Sequence, residues 1–252
     1  MVTQLPLVSI LIPVTQNSVY LKATLTSALF QTYDNTEIII RDNTLTNEIR
    51  VMVEKEFLPY YSKINYVKND APMTTLHLLQ QLIEDSKGKY TNFLLEKDLF
   101  YPQKIEKMMR YFLSDSLNTI QLVTSSQLQI DEKGQPIQNL NTNKLYLTDT
   151  KLSEIECRNA ILQKQNWIGE LTVPLFKKDQ LNEPFGYFRG MPFFHEYVTA
   201  AWLTILSKGD IIYIADDLSF KRNLQETSIR NTNQKNEWDQ LVLFANQSGY
   251  LQ

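Results

Sequence analysis

Over its first hundred residues the chain switches repeatedly between two periods: short apolar runs rich in β-branched residues, and segments whose apolar side chains recur every three or four positions. That alternation permits few folds. Leu7 to Val14 (LVSILIPV) reads as a strand buried on both faces, and Leu21, Leu25, Ala28 and Leu29 mark a helix from about Val19 to Gln31. Glu37 to Arg41 predicts a second strand, Glu48 to Phe57 a helix, and Ile64 to Val67 a third strand. Thr74 to Asp85 then reads as a helix, Tyr90 to Leu95 as a strand, and Pro102 opens a fourth helix. The β-α-β-α order implies right-handed crossovers and an α/β fold, a mainly parallel central sheet flanked by helices. Ligands of such sheets bind outside the carboxyl ends of the strands, which directs attention to Thr15 to Asn17, Asp42 to Thr44, Asn69 to Asp70 and Glu96 to Asp98.

The second half is mixed in texture. Ile120 to Ile130 and Ile137 to Leu147 flank Asp131-Glu132-Lys133-Gly134 and predict a hairpin-like excursion. Strands are expected at Leu171 to Phe176 and Ile211 to Ile214, a helix from about Phe194 to Ser207, and a last helix from Asn233 to Ala245. No repeat or linker interrupts the chain, so one domain over residues 1–252 is the simplest organisation. Its nucleotide-type half would reach to about residue 115, and a mixed half would follow from about 116 to 252.

Composition removes several chemistries. With only His77, His195 and Cys157, a Cys/His zinc site cannot be assembled, and no intrachain disulfide is possible. Seven glycines include neither G-x-G-x-x-G nor G-x-x-x-x-G-K-[ST]. A net charge of −3 argues against nucleic acid as partner, and no apolar run approaches the ~18 residues of a transmembrane segment. A cytoplasmic location is expected. Cys157 has no activating pattern around it and is expected to be inert, while His77 is expected to be structural and His195 a boundary side chain.

Among the strand-end acids, Glu96 and Asp98 stand out, because a carboxylate-x-carboxylate step after a buried strand can present two oxygen ligands to a divalent ion on a diphosphate. The competing structural reading makes them loop acids ahead of a helix. Trp167, Phe185, Tyr187, Phe188, Phe193 and Phe194 fall where an acceptor sugar could stack, though core filling is the default role of such residues.

Four blocks carry a resemblance. PLVSILIPVTQNSVYLKATLTSALFQTYDNTEIIIRDN, SKGKYTNFLLEKDLFYPQKIEKMM, WIGELTVPLFKKDQL and WLTILSKGDIIYIADDLSFKR are similar, in order, to four segments of the family 2 glycosyltransferases. Those are the nucleotide-binding opening, the D-x-D region, the start of the acceptor half, and the closing W-L-x-x-L-x-x-G and L-S-x-x-R motifs. The resemblance implies a GT-A (Rossmann-like) fold with a mixed C-terminal acceptor half. It implies inverting transfer from a nucleoside-diphosphate sugar, most readily a UDP-sugar, to a hydroxyl of a glycan, lipid-linked or protein acceptor, as in the bacterial synthesis of cell-surface polysaccharide or glycan. By the same resemblance, Pro13, Val14, Thr15, Gln16 and Asn17 wrap the nucleotide, Asp42 and Asn43 meet the base, and Glu96 and Asp98 hold Mn2+ or Mg2+ and the diphosphate. Lys97 and Arg222 lie beside the phosphates, Trp167 and Glu170 face the acceptor, and Glu196 is the general base.

Three positions depart from the family pattern: Asn43 replaces an acid, Lys97 fills the middle of the D-x-D motif, and Leu224 stands where a metal-completing histidine is common. They leave two readings open, a working transferase in which Lys97 and Arg222 replace part of the metal's charge, and a transferase-like module retained for binding or scaffolding. A nucleotidyltransferase is a third, disfavoured by the two closing motifs.

Overall fold

The computed structural model describes residues 5–16, 19–137, 144–165, 167–224 and 232–250. In chain order the elements are β1 (Val8–Val14), α1 (Leu21–Leu29), β2 (Thr36–Asp42), α2 (Glu48–Glu56), β3 (Ile64–Lys68), α3 (Thr75–Asp85), β4 (Tyr90–Phe93), β5 (Leu99–Phe100) and α4 (Lys104–Ser114). The second half adds β6 (Ile120–Ile130), β7 (Thr150–Leu152), α5 (Glu154–Leu162), β8 (Leu175–Lys177), β9 (Tyr187–Phe188), β10 (Met191–Pro192), α6 (Tyr197–Leu206), β11 (Asp210–Arg222) and α7 (Thr232–Gln247).

One sheet runs in the order β3-β2-β1-β4-β8-β6-β11-β5, with β7 pairing on β11. Strands β1 to β4 are mutually parallel, as the sequence predicts, and the register aligns Val14 with Asp42 and Asp42 with Lys68. Their carboxyl ends therefore open along one edge. Both faces of this region are apolar because alternate residues serve two cores. Ile10, Ile12, Ile38 and Ile40 pack with α1, α2 and α4 residues such as Leu25, Val53 and Met108, whereas Leu11 and Ile39 pack with Leu79 of α3 and with Trp202 and Leu203 of α6. Gly88, just before β4, passes so near β1 that an added Cβ would lie 2.7 Å from the Ser9 main-chain nitrogen.

The second half differs from its sequence reading at four places. β6 is not one arm of a two-stranded hairpin; it runs parallel to β11 along ten paired positions. Only the single antiparallel bridge of Ile130 with Pro136 marks the turn, residues 138–143 of the expected return arm fall outside the described residues, and 144–147 form no strand. The expected strand at 171–176 shortens to β8, because Leu171 to Val173 form a turn closed by Val173 N–H on the Glu170 carbonyl. The strand expected at 211–214 extends to thirteen residues, with register shifts between Ile214 and Ser219. Finally, β7 and α5 were not expected from the sequence, and α5 opens at Ser153-x-x-Glu156. That step is a complete capping box, with Glu156 N–H on Ser153 Oγ and Ser153 N–H on Glu156 Oε2.

Candidate functional site

The site grows from the end of β1. Pro13 has no N–H to give to a neighbouring strand, and the chain leaves the sheet at Thr15, whose N–H and Oγ1 both donate to the Glu96 carboxylate at 3.0 Å. Gln16 N–H adds a longer contact of 3.4 Å. Glu96 thus joins the loop after β1 to the loop after β4. Beneath them, Thr24 Oγ1 of α1 donates to the Glu96 and Asp98 carbonyls, and Asp98 N–H closes a turn on the Leu95 carbonyl. The Glu-Lys-Asp step is fixed from three sides.

Asp98 is held from the second half of the chain. Its Oδ2 accepts from Thr172 Oγ1 at 2.6 Å and its Oδ1 from Arg222 N–H at 3.2 Å. Both acids are buried, Glu96 at 6% and Asp98 at 5% exposure. Burial pushes each carboxyl above its ordinary range, and the hydrogen bonds from Thr15 and from Thr172 and Arg222 pull back. For Asp98 the Lys221 charge also favours the ionised form and Glu170 opposes it.

These residues line a cleft of about 340 Å3 together with Pro13, Thr15, Thr75, Leu79, Leu95, Lys97, Glu170, Leu171, Tyr197, Lys221 and Arg222. Its size is that of a small-molecule site, and it lies where an α/β sheet places its ligands. Three acids and three cations face it. Glu170 and Lys221 form an ion pair at 2.7 Å. A second hollow, of about 380 Å3, lies at α4, but its charges satisfy one another: Lys107 pairs with Asp216, and Tyr111 donates to Asp149.

Among residues expected at the site, the structure gathers Pro13, Thr15, Glu96, Lys97, Asp98, Glu170 and Arg222 at the cleft. Asn17 lies outside the described residues. Arg222 is largely committed, its Nε to the Lys97 carbonyl, its Nη1 to the carbonyls of Asp131 and Glu132, and its guanidinium 4.2 Å over the Tyr20 ring. It orders loops. Asp42 is wholly buried and accepts from Thr44 N–H, Thr44 Oγ1 and Tyr66 Oη, with Lys68 Nζ at 3.2 Å. Asn43 is turned inward, donating to the Met73 carbonyl and accepting from Asn69 Nδ2. Val14 is buried at the strand end, and Gln16 is exposed beside it.

In the second half, Glu196 stands at the start of α6 with Thr199 Oγ1 donating to its carboxylate, and it is the next residue, Tyr197, that reaches the cleft. Trp167 is half-buried, edge-on to Tyr146, while Phe185, Phe188 and Phe193 fill the core. His77 and His195 are both exposed and away from the cleft.

Sequence reasoning missed Thr172, Tyr197, Lys221 and Glu237. Glu237 of α7 accepts from the main-chain N–H groups of Phe194, His195 and Glu196, placing a carboxylate at the amino end of α6. Nothing in the sequence around Glu237 signals that contact. Lys221, by contrast, sits inside the L-S-x-x-R block, one residue before Arg222.

For a divalent ion, the donor set is two hard carboxylates whose oxygens already accept protein hydrogen bonds but retain lone pairs. Among the described residues no three His, Cys, Asp or Glu side chains converge on a metal position, and Leu224 offers no ligand. Such a pair fits Mg2+ or Mn2+ only where phosphate oxygens and water complete the shell.

Comparison with known proteins agrees with this geometry. Residues 9–171 match the family model described as glycosyl transferase family 2. An uncharacterized glycosyltransferase of Rickettsia felis is 31% identical over 145 residues, covering 56% of this chain and 23% of that protein. One from Rickettsia typhi is 27% identical over 245 residues, covering 95% of this chain and 71% of that protein. The chain thus spans less than a quarter of the first of these relatives and most of the second. In three dimensions it resembles S. aureus TarS 1-349 in complex with UDP-GlcNAc, with a TM-score of 0.66 and 13% identity over 94% of this chain and 65% of that one. Full S. aureus TarS gives 0.64 and 12%, over 94% of this chain and 39% of TarS. At such identity the structural likeness speaks for the GT-A fold alone. The family match covers β1 to β4, the Glu96-Lys97-Asp98 turn and the approach to Thr172, and on that ground the chain belongs to glycosyl transferase family 2.

Proposed function

We propose that this chain is an inverting glycosyltransferase domain that moves a sugar from a nucleoside-diphosphate sugar, a UDP-sugar first among them, to an acceptor hydroxyl. The observation that carries the reading is the cleft at the strand ends, where Glu96 and Asp98 meet Lys97 and Lys221. Support for the donor comes from the UDP-GlcNAc complex of the structurally similar TarS. In the transfer the acceptor oxygen bonds to the anomeric carbon as the bond from that carbon to the diphosphate oxygen breaks. The hydroxyl proton passes to a base, and the nucleoside diphosphate leaves with the bonding pair. Glu96 and Asp98 would hold Mn2+ or Mg2+, whose chemistry is to stabilise the charge on that leaving group. Lys97 adds positive charge from this chain itself, and Arg222 fixes the loops that shape the phosphate region. Glu196 is our candidate base, adjacent to the cleft-lining Tyr197, with Trp167 and Glu170 on the acceptor side. Asp42, wholly buried, and Asn43, half-buried and turned inward, serve the nucleotide's base by shaping the strand-end loops. The chain would act as one domain in the cytoplasm on a glycan, lipid-linked or protein acceptor in cell-surface glycan synthesis; among the described residues no helix is long and apolar enough to cross a membrane.

A second reading, a transferase-like binding or scaffolding module that does not turn over, is favoured by Asn43, Lys97 and Leu224. Thermal denaturation with UDP, GDP and dTDP, each with and without Mn2+, separates the two when followed by donor hydrolysis. A nucleotide at 100 times its Kd should stabilise the fold by about 2.7 kcal/mol. Stabilisation with hydrolysis is expected; stabilisation without it identifies a nucleotide-binding module, and no stabilisation by any nucleotide overturns the transferase and leaves the scaffolding module.

A further inference from the structure

We propose that Lys221 is a diphosphate-binding residue held in reserve by Glu170, so that the Glu170–Lys221 ion pair and the nucleotide diphosphate compete for the same ammonium group. The inference rests on the donor-binding reading above and adds to it a residue and a coupling between the two sides of the cleft.

Charge comes first. Glu96, Asp98 and Glu170 face Lys97, Lys221 and Arg222, so the side chains lining the cleft carry no net formal charge. A diphosphate entering it would meet two buried carboxylates, and its charge calls for a cation that can change partner. Arg222 has little freedom to do so, with three main-chain carbonyls on its guanidinium and Tyr20 beneath it. Lys221 is differently placed. Its main chain is fixed, paired with Gln129 in the sheet, and the N–H of the next residue donates to Asp98. Its ammonium lies 2.7 Å from Glu170, with side-chain exposures of 39% for Lys221 and 48% for Glu170.

Exchange follows from the energetics. An exposed ion pair shifts an equilibrium by only about two- to fivefold, whereas a diphosphate offers several charged oxygens as hydrogen-bond acceptors. Glu170 is held by its main chain in the turn after Gly169 and closed by Val173 N–H, so release from Lys221 needs only side-chain rotation. Donor binding would then free the Glu170 carboxylate on the acceptor side.

The test is the sign of two substitutions. Calorimetric Kd values for UDP, inorganic pyrophosphate and uridine would be measured in Mg2+ and in chelator for the wild type, Glu170→Gln, Lys221→Gln and the double variant. Thermal midpoints would verify folding. Removing the competitor should tighten UDP and pyrophosphate about two- to fivefold in Glu170→Gln, and Lys221→Gln should weaken both. The double variant should lose the gain, and uridine should respond to neither change. A purely structural pair would lower thermal midpoints without tightening any ligand. Wild-type binding of UDP with Glu170→Gln unchanged or weaker overturns this inference and leaves the transferase reading standing. Failure of the wild type to bind UDP or pyrophosphate in either buffer overturns both.

Discussion

Asp98 shows how one side chain carries opposite consequences for stability and function. It is buried, its oxygens accept from Thr172 Oγ1 and Arg222 N–H, and burial lifts its carboxyl above the ordinary range. A carboxyl whose folded value exceeds its unfolded one binds its proton more tightly in the native state. The contribution of this group to stability is therefore fully present in acid and is lost as pH rises from about 3.9 through the raised folded value. Glu96 acts in the same direction. Asp98→Asn removes the charge while keeping an acceptor for Arg222 N–H, and the Thr172 hydroxyl can reverse to accept from the new amide. We expect Asp98→Asn to have a thermal midpoint at pH 7 equal to or above wild type, a flatter decline as pH rises above about 3.9, and weakened metal-dependent nucleotide binding. A clear fall in thermal midpoint would instead make the carboxylate a structural anchor. The sequence placed Asp98 at a strand end but gave no sign of its partners, because Thr172 and Arg222 lie 74 and 124 residues away.

Elements position these residues, and the turn between α5 and β8 is the most demanding. Gly169 adopts φ +94°, and a Cβ there would lie 3.0 Å from the Val173 side chain. The turn then presents Glu170 and Leu171 to the cleft and Thr172 to Asp98. Gly169→Ala should cost about 1 kcal/mol or more through the left-handed backbone alone, or roughly 2–4 °C of thermal midpoint in a chain of this size. Because the turn carries Thr172, nucleotide binding should weaken by more than the stability loss accounts for, as read by denaturation with and without UDP. The parallel strands β1 to β3 were legible because each combines apolar β-branched residues with a following helical period, and β4 because its aromatic Tyr90 and Phe93 follow the Ser86-Lys87-Gly88 stop. The second half was less so. β8 is three residues long and its neighbouring turn is equally apolar, so Leu171 to Phe176 reads as a strand by pattern although only Leu175–Lys177 pairs. β11 was underestimated because its second part, Asp216 to Arg222, carries charges that ordinarily mark a loop.

At the scale of the molecule, β8 lies between β4 and β6, so the sheet passes directly from the parallel strands of the first half into those of the second. Cys157 reports on that shared core. It is fully buried in the cluster containing Phe176, Trp202 and Leu79, and burial pushes its thiol up to about 12. Labelling by a thiol reagent at pH 8 should follow global unfolding, with the same denaturant midpoint as the loss of helix signal, and saturating UDP should slow it. Labelling well ahead of unfolding would show that α5 opens separately. The sequence by itself determined the order of strands and helices in the first half and the placing of Glu96 and Asp98 at a strand end, because hydrophobic period and strand length are local properties. Only the tertiary structure decided which side chains face the cleft. Asp42 is enclosed by Thr44, Tyr66 and Lys68, Arg222 is committed to main-chain carbonyls, and Lys221 is left at the mouth against Glu170. Burial and hydrogen-bond partners decide what a charged group can do, and here they come from strands brought together across most of the chain.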